Sequence, residues 1–275
     1  SRGLGDVYKR QHVINYFISE YQKGRTPFPC LACNDRLKFD FLLKRAEFMK
    51  ADYIATGHYA SIIENNNEYK LIKGVDETKD QSYVLFNLTQ SIMNKLKLPV
   101  GIFPKNEIRK IAEDHNLINA KKPDSQDICF IPDGDYKKFI NNKIDQNEGI
   151  IVDSQGNKLG DHSGIHNFTI GQRKGIGIES KGKPIFVTKI YPSKNIVEVG
   201  PSNELMQRKA FISKVNIISK EDKITNKEIF AKIRYKSTPA KGRLTLKNDG
   251  NAVFIFDEPQ SCLLYTSPSP RDRYI

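Results

Sequence analysis

The sequence predicts an α/β domain followed by a small β-rich domain and a C-terminal β-barrel. Three observations carry this. Near the N-terminus, helical patterns of charged and apolar residues flank a short apolar run that ends in glycine. Beyond about residue 135 the chain turns to short β-type runs separated by Gly, Asn and Asp. After Pro201 the β-type runs continue in longer stretches. Helix, buried strand and glycine in succession mark an α/β unit, and short strands with regular turns mark a barrel or sandwich.

In chain order, residues 36–49 read as a helix with Leu42, Leu43, Ala46 and Met49 on one face. "ADYIATGHY" reads as a buried strand ending at Gly57-His58, and open parallel sheets bind ligands just beyond such strand ends. "NEIRKIAEDHNLI" reads as a second helix with Ile108, Ile111 and Ala112 inward. "GIIVDSQGNKLG" and "PIFVTKIYPSKNIVEVG" read as strands joined by hairpin-like turns at "DSQGN" and "PSKN". "AFISKVNII", "IFAKIRYKSTPAKGRLTL" and "NAVFIFDEP" supply the last strands. The expected units are residues 12–133, 134–203 and 204–261, with no internal repeat.

The two ends do not belong to this plan. Back-translating Ser1–Gln11 and reading the reverse complement from its second base yields Cys262–Arg271 and the start of Asp272. One inverted DNA segment therefore encodes both ends, as a sequencing adaptor read through as protein would. Residues 1–11 and 262–275 are set aside on that ground. The formal charge is +12 for the whole chain. The excluded ends carry three basic and one acidic residue, and two basic and one acidic, so +9 remains on residues 12–261. A basic surface spread in this way suits a polyanion such as RNA, and a lysine-rich genome gives the same composition. No apolar run approaches the roughly 18 residues of a membrane span, so no membrane partner is expected. Without Cys262, the unevenly spaced Cys30, Cys33 and Cys129 do not make a secreted disulfide framework, and a cytoplasmic protein is expected.

Cys30 and Cys33 in "TPFPCLACNDRLKF" admit three readings: half a zinc site, a dithiol redox pair, or one nucleophile with a neighbour. Structural zinc wants a second close pair, which is missing, so no metal site is expected. A dithiol pair wants a helix N-terminus after a strand, whereas "TPFP" precedes it here. Cys129, in "KKPDSQDICFIPDGDY", reads by itself as a buried small core residue.

"GRTPFPCLACNDRLKF", "ADYIATGHYA", "KDQSYVLF", "KKPDSQDICFIPDGDY" and "HNFTIGQRKGIGI", in this order, closely resemble the tRNA-specific 2-thiouridylase family over nearly all of residues 12–259. The resemblance implies a sulfurtransferase that uses ATP and magnesium to adenylate the wobble uridine of tRNA and delivers sulfur from a cysteine persulfide. The persulfide would sit on Cys129. Cys33 would be the second thiol, leaving a Cys33–Cys129 disulfide, and an upstream protein would donate the sulfur. A mobile Cys129 loop is expected. The implied N-terminal fold is Rossmann-like, of the adenine-nucleotide type. Gly57 would contact ATP through its backbone, where a missing Cβ allows close approach. Phe28, Pro29 and Cys30 stand where the family pattern has Asn-Pro-Asp against the target base. Phe28 would stack on a base or cap the apolar core. His58 would lie on the tRNA side or be a satisfied histidine at a strand end. Lys79, Asp80 and Gln81 match a tRNA-contacting loop, and Arg234 and Tyr235 a tRNA contact of the barrel. "GQRKGIGI" lacks the phosphate-loop spacing and reads as a basic turn on the RNA side. DNA is not expected as a partner.

The family's Ser-Gly-Gly-x-Asp-Ser loop does not occur in the sequence. The chain by itself is therefore expected to be inactive in ATP-dependent thiolation, and its last barrel strands are expected to be missing. Two other functions fit parts of the pattern: an RNA-binding barrel without catalysis, and a dithiol oxidoreductase on Cys30 and Cys33. The pairing of the thiols separates the three.

Overall fold

The chain enters through helix. A π-helical turn at Arg10–Ile14 leads into α1 (Asn15–Gln22), whose inner face buries Phe17 and Tyr21. Gly24, at φ +66°, ends it, its N–H donating to the Tyr21 carbonyl. Glu20 is buried and accepts from Arg25 Nη2 at 2.9 Å, which fixes the turn that leads to the thiols. This computed structural model describes residues 7–122, 128–131, 134–179, 182–213, 215–219, 224, 227–235 and 237–261. Residues 1–6, Cys262 and the remainder of 262–275 lie outside the described residues.

Pro29 opens the next helical stretch, where its missing N–H costs nothing. It runs as α2 (Pro29–Ala32), a π-helical segment Cys33–Phe41, and α3 (Leu42–Phe48). The expected helix is present, but its inner face is narrower. Phe39, Leu43 and Ala46 pack into the core, whereas Leu42 and Met49 are 38% and 67% exposed. The buried face follows positions i, i+4 and i+7 from Phe39. Leu42 flanks it, and Met49 lies past the helix end.

β1 (Ile54–Ala55) is shorter than the apolar run suggested. It pairs in parallel with β4 (Leu96–Lys97), as an α/β unit requires. Between them β2 (Ala60–Asn65) and β3 (Glu68–Lys73) form an antiparallel hairpin. Its two-residue loop, Asn66-Asn67, has positive φ at both positions, the geometry that matches strand twist and that asparagine tolerates. α4 (Gln90–Asn94) is capped by the Thr89 hydroxyl. α5 (Lys105–Asp114) is amphipathic but peripheral: none of its residues is buried, and Ile111, expected inward, is 41% exposed. Ile108 and Ala112 are half-buried. The first core gathers Ala60, Leu85, Leu88, Met93 and Leu96.

After α6 (Tyr136–Asn141), β5 (Gly149–Val152), β6 (Lys158–His162), β7 (Phe186–Tyr191) and β8 (Ile196–Gly200) form one sheet in the order β6-β5-β8-β7. The "DSQGN" turn links β5 to β6, and "PSKN" links β7 to β8 with Asn195 left-handed at φ 52°. The C-terminal unit is a four-stranded antiparallel sheet, β10 (Glu228–Ala231), β11 (Ala240–Leu246), β12 (Ala252–Ser261) and β9 (Met206–Ile212) in that order. β9 and β10 are its edges, so among the described residues the sheet is open and no barrel closes. It is tied to the first domain through Asn216, whose amide donates to the carbonyls of Phe86 and Leu88 at 2.8 Å. Among the described residues no helix is long and apolar enough to cross a membrane.

Candidate active site

The carboxyl end of β1 delivers Gly57 and His58 to a pocket of about 730 Å³. The first turns of the α2 stretch supply Phe28, Pro29, Cys30, Cys33, Asn34 and Lys38 to its wall. Ile128, Cys129 and Phe130 close another side, and Gln81 and Tyr235 reach in from the first domain and the C-terminal unit. Thus residues from positions 28 to 235 converge on one space, and all three thiols face it.

Each thiol is free. Cys129, read from its sequence as a core residue, is exposed, while its neighbour Phe130 is half-buried. Phe130 packs edge-on against Phe17 at 5.4 Å and lies 5.7 Å from Phe139. The turn is therefore anchored on both sides of its thiol, by half-buried Ile128 before it and by Phe130 and buried Ile131 after it. Residues 123–127, just before it, lie outside the described residues. Cys30 and Cys33 sit at the start of a helix after all, although a loop and not a strand precedes them. Cys30 is open to solvent at one side, yet the protein crowded around its sulfur, and the Cys129 and Cys33 thiols beside it, push its pKa up. Burial also raises Cys33. The charge of Lys38 opposes that rise, Cys129 adds to it, and Lys9 opposes it.

His58 is 5% exposed and fully engaged. Its Nδ1 lies 2.7 Å from Thr56 Oγ1, and its Nε2 lies 3.1 Å from both Asn34 Oδ1 and Lys38 Nζ. Asn34 donates its Nδ2 to the Val84 carbonyl at 2.8 Å, which fixes the amide so that its oxygen faces the imidazole. Burial, and then Lys38, lower the pKa of His58 to about 4. The ring is neutral at physiological pH. Because the folded pKa lies below the unfolded value of about 6.5, this contribution to stability is complete above pH 6.5 and is lost as pH falls towards 4. Acidification from pH 7 to 4 should cost about 3 kcal/mol through this residue. In urea melts, His58→Gln should show a flatter pH dependence across that window than the parent chain, and parallel curves would contradict it.

Gly57 has open space where a Cβ would stand, so nothing in the protein demands glycine there and a ligand has room to approach the backbone. Phe28 packs on the first core, as one of its two expected roles requires, and it also lines the pocket, 6.2 Å from Tyr83. The Lys79-Asp80-Gln81 loop splits. Gln81 clamps Tyr59 through two hydrogen bonds, its Oε1 accepting from Tyr59 N and its N–H donating to Tyr59 O, and lines the pocket. Asp80 accepts from Gly74 N, Ser82 N and Ser82 Oγ and shapes the turn. Lys79 lines a separate recess with Lys105 and Arg109. Tyr235 donates to the Asp80 carbonyl at 3.2 Å, joining the C-terminal unit to this loop. Arg234 does not line the pocket: its Nη2 donates to Ser261 O at 2.9 Å. The basic glycine turn, with Arg173 and Lys183, forms a recess of its own that shares no residue with the thiol pocket. Among the described residues, no group of three or more His, Cys, Asp or Glu side chains stands together as a metal site.

Sequence reasoning missed Lys38 and Thr56. Lys38 is five residues after Cys33, a spacing that α-helical periodicity places on another face. Thr56 carried no signal beyond its neighbour glycine.

A family model described as "tRNA methyl transferase HUP domain" matches residues 4–133, and one described as "tRNA methyl transferase PRC-barrel domain" matches residues 137–201. The chain is 44% identical over 262 residues to the tRNA-specific 2-thiouridylase MnmA of Clostridium perfringens, covering 94% of this chain and 72% of that protein. It is 44% identical over 260 residues to MnmA 2 of Clostridium botulinum, with the same coverage. It is 41% identical over 262 residues to MnmA of Carboxydothermus hydrogenoformans, covering 94% and 71%.

Proposed function

Because the chain belongs to the tRNA-specific 2-thiouridylase family, whose reaction is the thiolation of tRNA, we propose that Cys129 carries the transferred sulfur as a persulfide and that Cys33 is its partner thiol, acting on the 2-position of the wobble uridine. The convergence of Cys33, Cys129 and Gly57 on one pocket carries this reading. The matching family models speak of methyl transfer, but three thiols facing one space suit sulfur chemistry.

A persulfide-bearing donor protein passes its terminal sulfur to the exposed Cys129. ATP held against Gly57, with its phosphates and magnesium on the Ser-Gly-Gly-x-Asp-Ser loop that this sequence lacks, would supply the adenylyl group that makes the uracil O2 part of a leaving group, with release of pyrophosphate. Phe28, Pro29 and Cys30 hold the base beside the thiols. The terminal sulfur on Cys129 forms a bond to C2 as AMP departs. The Cys33 thiolate then attacks Cys129 Sγ, the sulfur–sulfur bond breaks, and its electron pair stays with the sulfur now on the uridine. A Cys33–Cys129 disulfide remains, which a dithiol reductant reopens with two electrons. Exchange of this kind needs thiolate and access. Trapping this disulfide by peptide mapping, after a turnover of a protein that joins the Ser-Gly-Gly-x-Asp-Ser loop to this chain, tests the reading. A Cys30–Cys33 bond in its place would favour a dithiol oxidoreductase, and no disulfide would favour an RNA-binding role.

The basic chain should bind tRNA with strong salt dependence, since neutralised phosphates release counterions. Arg234→Ala should weaken binding and flatten the log–log salt slope by about one unit if its remaining guanidinium nitrogens meet a phosphate. An unchanged slope and affinity would remove Arg234 from the tRNA face.

A further inference from the structure

The π-helical segment gives Lys38 its place. In an α-helix, at about 100° per residue, Cys33 and Lys38 would lie roughly 140° apart around the axis. π winding, bonded from i to i+5, brings those two positions to one side, and such segments recur at functional sites. Both residues face the thiol pocket. Lys38 is half-buried. Its one hydrogen bond among the described residues is to a neutral imidazole, at 3.1 Å, and not to a carboxylate. The imidazole is itself fixed on its Nδ1 side by Thr56. A lysine that meets the Nε2 lone pair leaves Nδ1–H to donate to Thr56 Oγ1. That arrangement holds the ammonium in place without neutralising it. From these positions we infer that His58 positions Lys38, and that Lys38 is the electrostatic partner of the Cys33 sulfur in the sulfur-transfer step.

The chemistry of that step needs such a charge. Cys33 must become a thiolate in a pocket whose walls favour the neutral thiol. A cation at close range favours the anion, and two neighbouring thiols oppose it whenever they ionise. The charged and titratable groups that line the pocket with Cys33 are Lys38 on its own segment, Lys9 on the N-terminal helix, the Cys30 and Cys129 thiols, His58 and Tyr235. Lys9 lies in the segment that the adaptor reading sets aside, which leaves Lys38 as the facing cation within residues 12–261.

This inference rests on the proposed role of Cys33, but its first test does not use catalysis. Iodoacetamide labelling of the full chain is followed across pH 6–10 by peptide mass mapping, which reads Cys30, Cys33 and Cys129 separately. Lys38→Met should move the Cys33 midpoint up by about one pH unit and leave the Cys129 midpoint nearly in place. Lys38→Arg should restore most of the shift. His58→Gln, which frees Lys38 without removing it, should give a smaller upward shift. In the parent chain, Cys33 should ionise at lower pH than Cys30 although Cys30 is more exposed, a comparison that needs no variant to fold. Superimposable Cys33 profiles in the parent and a folded Lys38→Met chain, or a Cys30 midpoint below that of Cys33, would overturn the inference. In thiolation assays of a protein that joins the Ser-Gly-Gly-x-Asp-Ser loop to this chain, Lys38→Met should lose at least tenfold at pH 7 and recover as pH rises. A shifted labelling profile together with full activity in Cys33→Ser would leave the Lys38–Cys33 coupling standing and remove Cys33 from the reaction.

Discussion

Cys129→Ser should reduce sulfur transfer to background and leave tRNA binding nearly intact. A serine hydroxyl cannot carry a sulfane sulfur, so the donor has nothing to load. The side chain is exposed on an anchored turn, and a neutral thiol adds little to an interface dominated by phosphate contacts. Cys33→Ser should be nearly as damaging, because no thiolate remains to break the sulfur–sulfur bond. Cys30→Ser should be milder, about tenfold or ~1.4 kcal/mol in the barrier, since the role proposed for Cys30 is to hold the base and not the transferred sulfur. The assay is thiolation of a tRNA transcript with ATP and a persulfide donor, in a protein that joins the Ser-Gly-Gly-x-Asp-Ser loop to this chain. Activity retained in Cys129→Ser and lost in Cys30→Ser would reverse the ranking and favour the redox pair. The geometry already weighs on that choice: Cys30 and Cys33 do sit at a helix start, as a redox pair would, but Cys129 faces the same pocket.

Those parts of the fold written in short-range chemistry were legible in the sequence. The turns at "DSQGN" and "PSKN", the parallel partner implied by a strand ending at Gly57, and the change of texture near residue 135 each depend on a few adjacent residues. The Asn66-Asn67 hairpin was equally local, and only the positive φ that asparagine allows marked it. Facing directions were less legible. Burial of Met49 and Ile111 depends on where a helix ends and on what covers it, which periodicity does not encode. At the site, Cys33, Cys129, Gly57, Phe28 and Gln81 line one pocket. Asp80 turned out to shape its own loop, and Arg234 to hold the end of β12. Lys38 was hidden because the local winding is π and not α, a property that no spacing rule anticipates.

Phe17→Ala should both destabilise the chain and uncouple its thiols. Phe17 is completely buried in α1, and its ring meets Tyr21, Phe130 and Phe139 at centroid distances of 5.0, 5.4 and 6.3 Å. Truncating such a residue costs about 3–5 kcal/mol, from lost apolar burial and the cavity left behind. The functional consequence follows from which neighbour loses its support. Phe130 is the residue after Cys129, and Phe17 is one wall of the seat that holds it. Without that wall the Cys129 turn samples more positions, and its sulfur spends less time within bonding reach of Cys33. Disulfide formation between Cys33 and Cys129 under mild oxidant should therefore slow at least tenfold. Stability loss alone is separable from this effect. Phe256→Ala empties an equally buried site, 1% exposed, in the C-terminal sheet far along the chain, and should cost a similar amount in a urea melt. Its disulfide rate, measured where both variants remain folded, should match that of the parent chain. Equal slowing in both variants would show that general loosening, and not the seat of Phe130, governs the encounter of the two thiols.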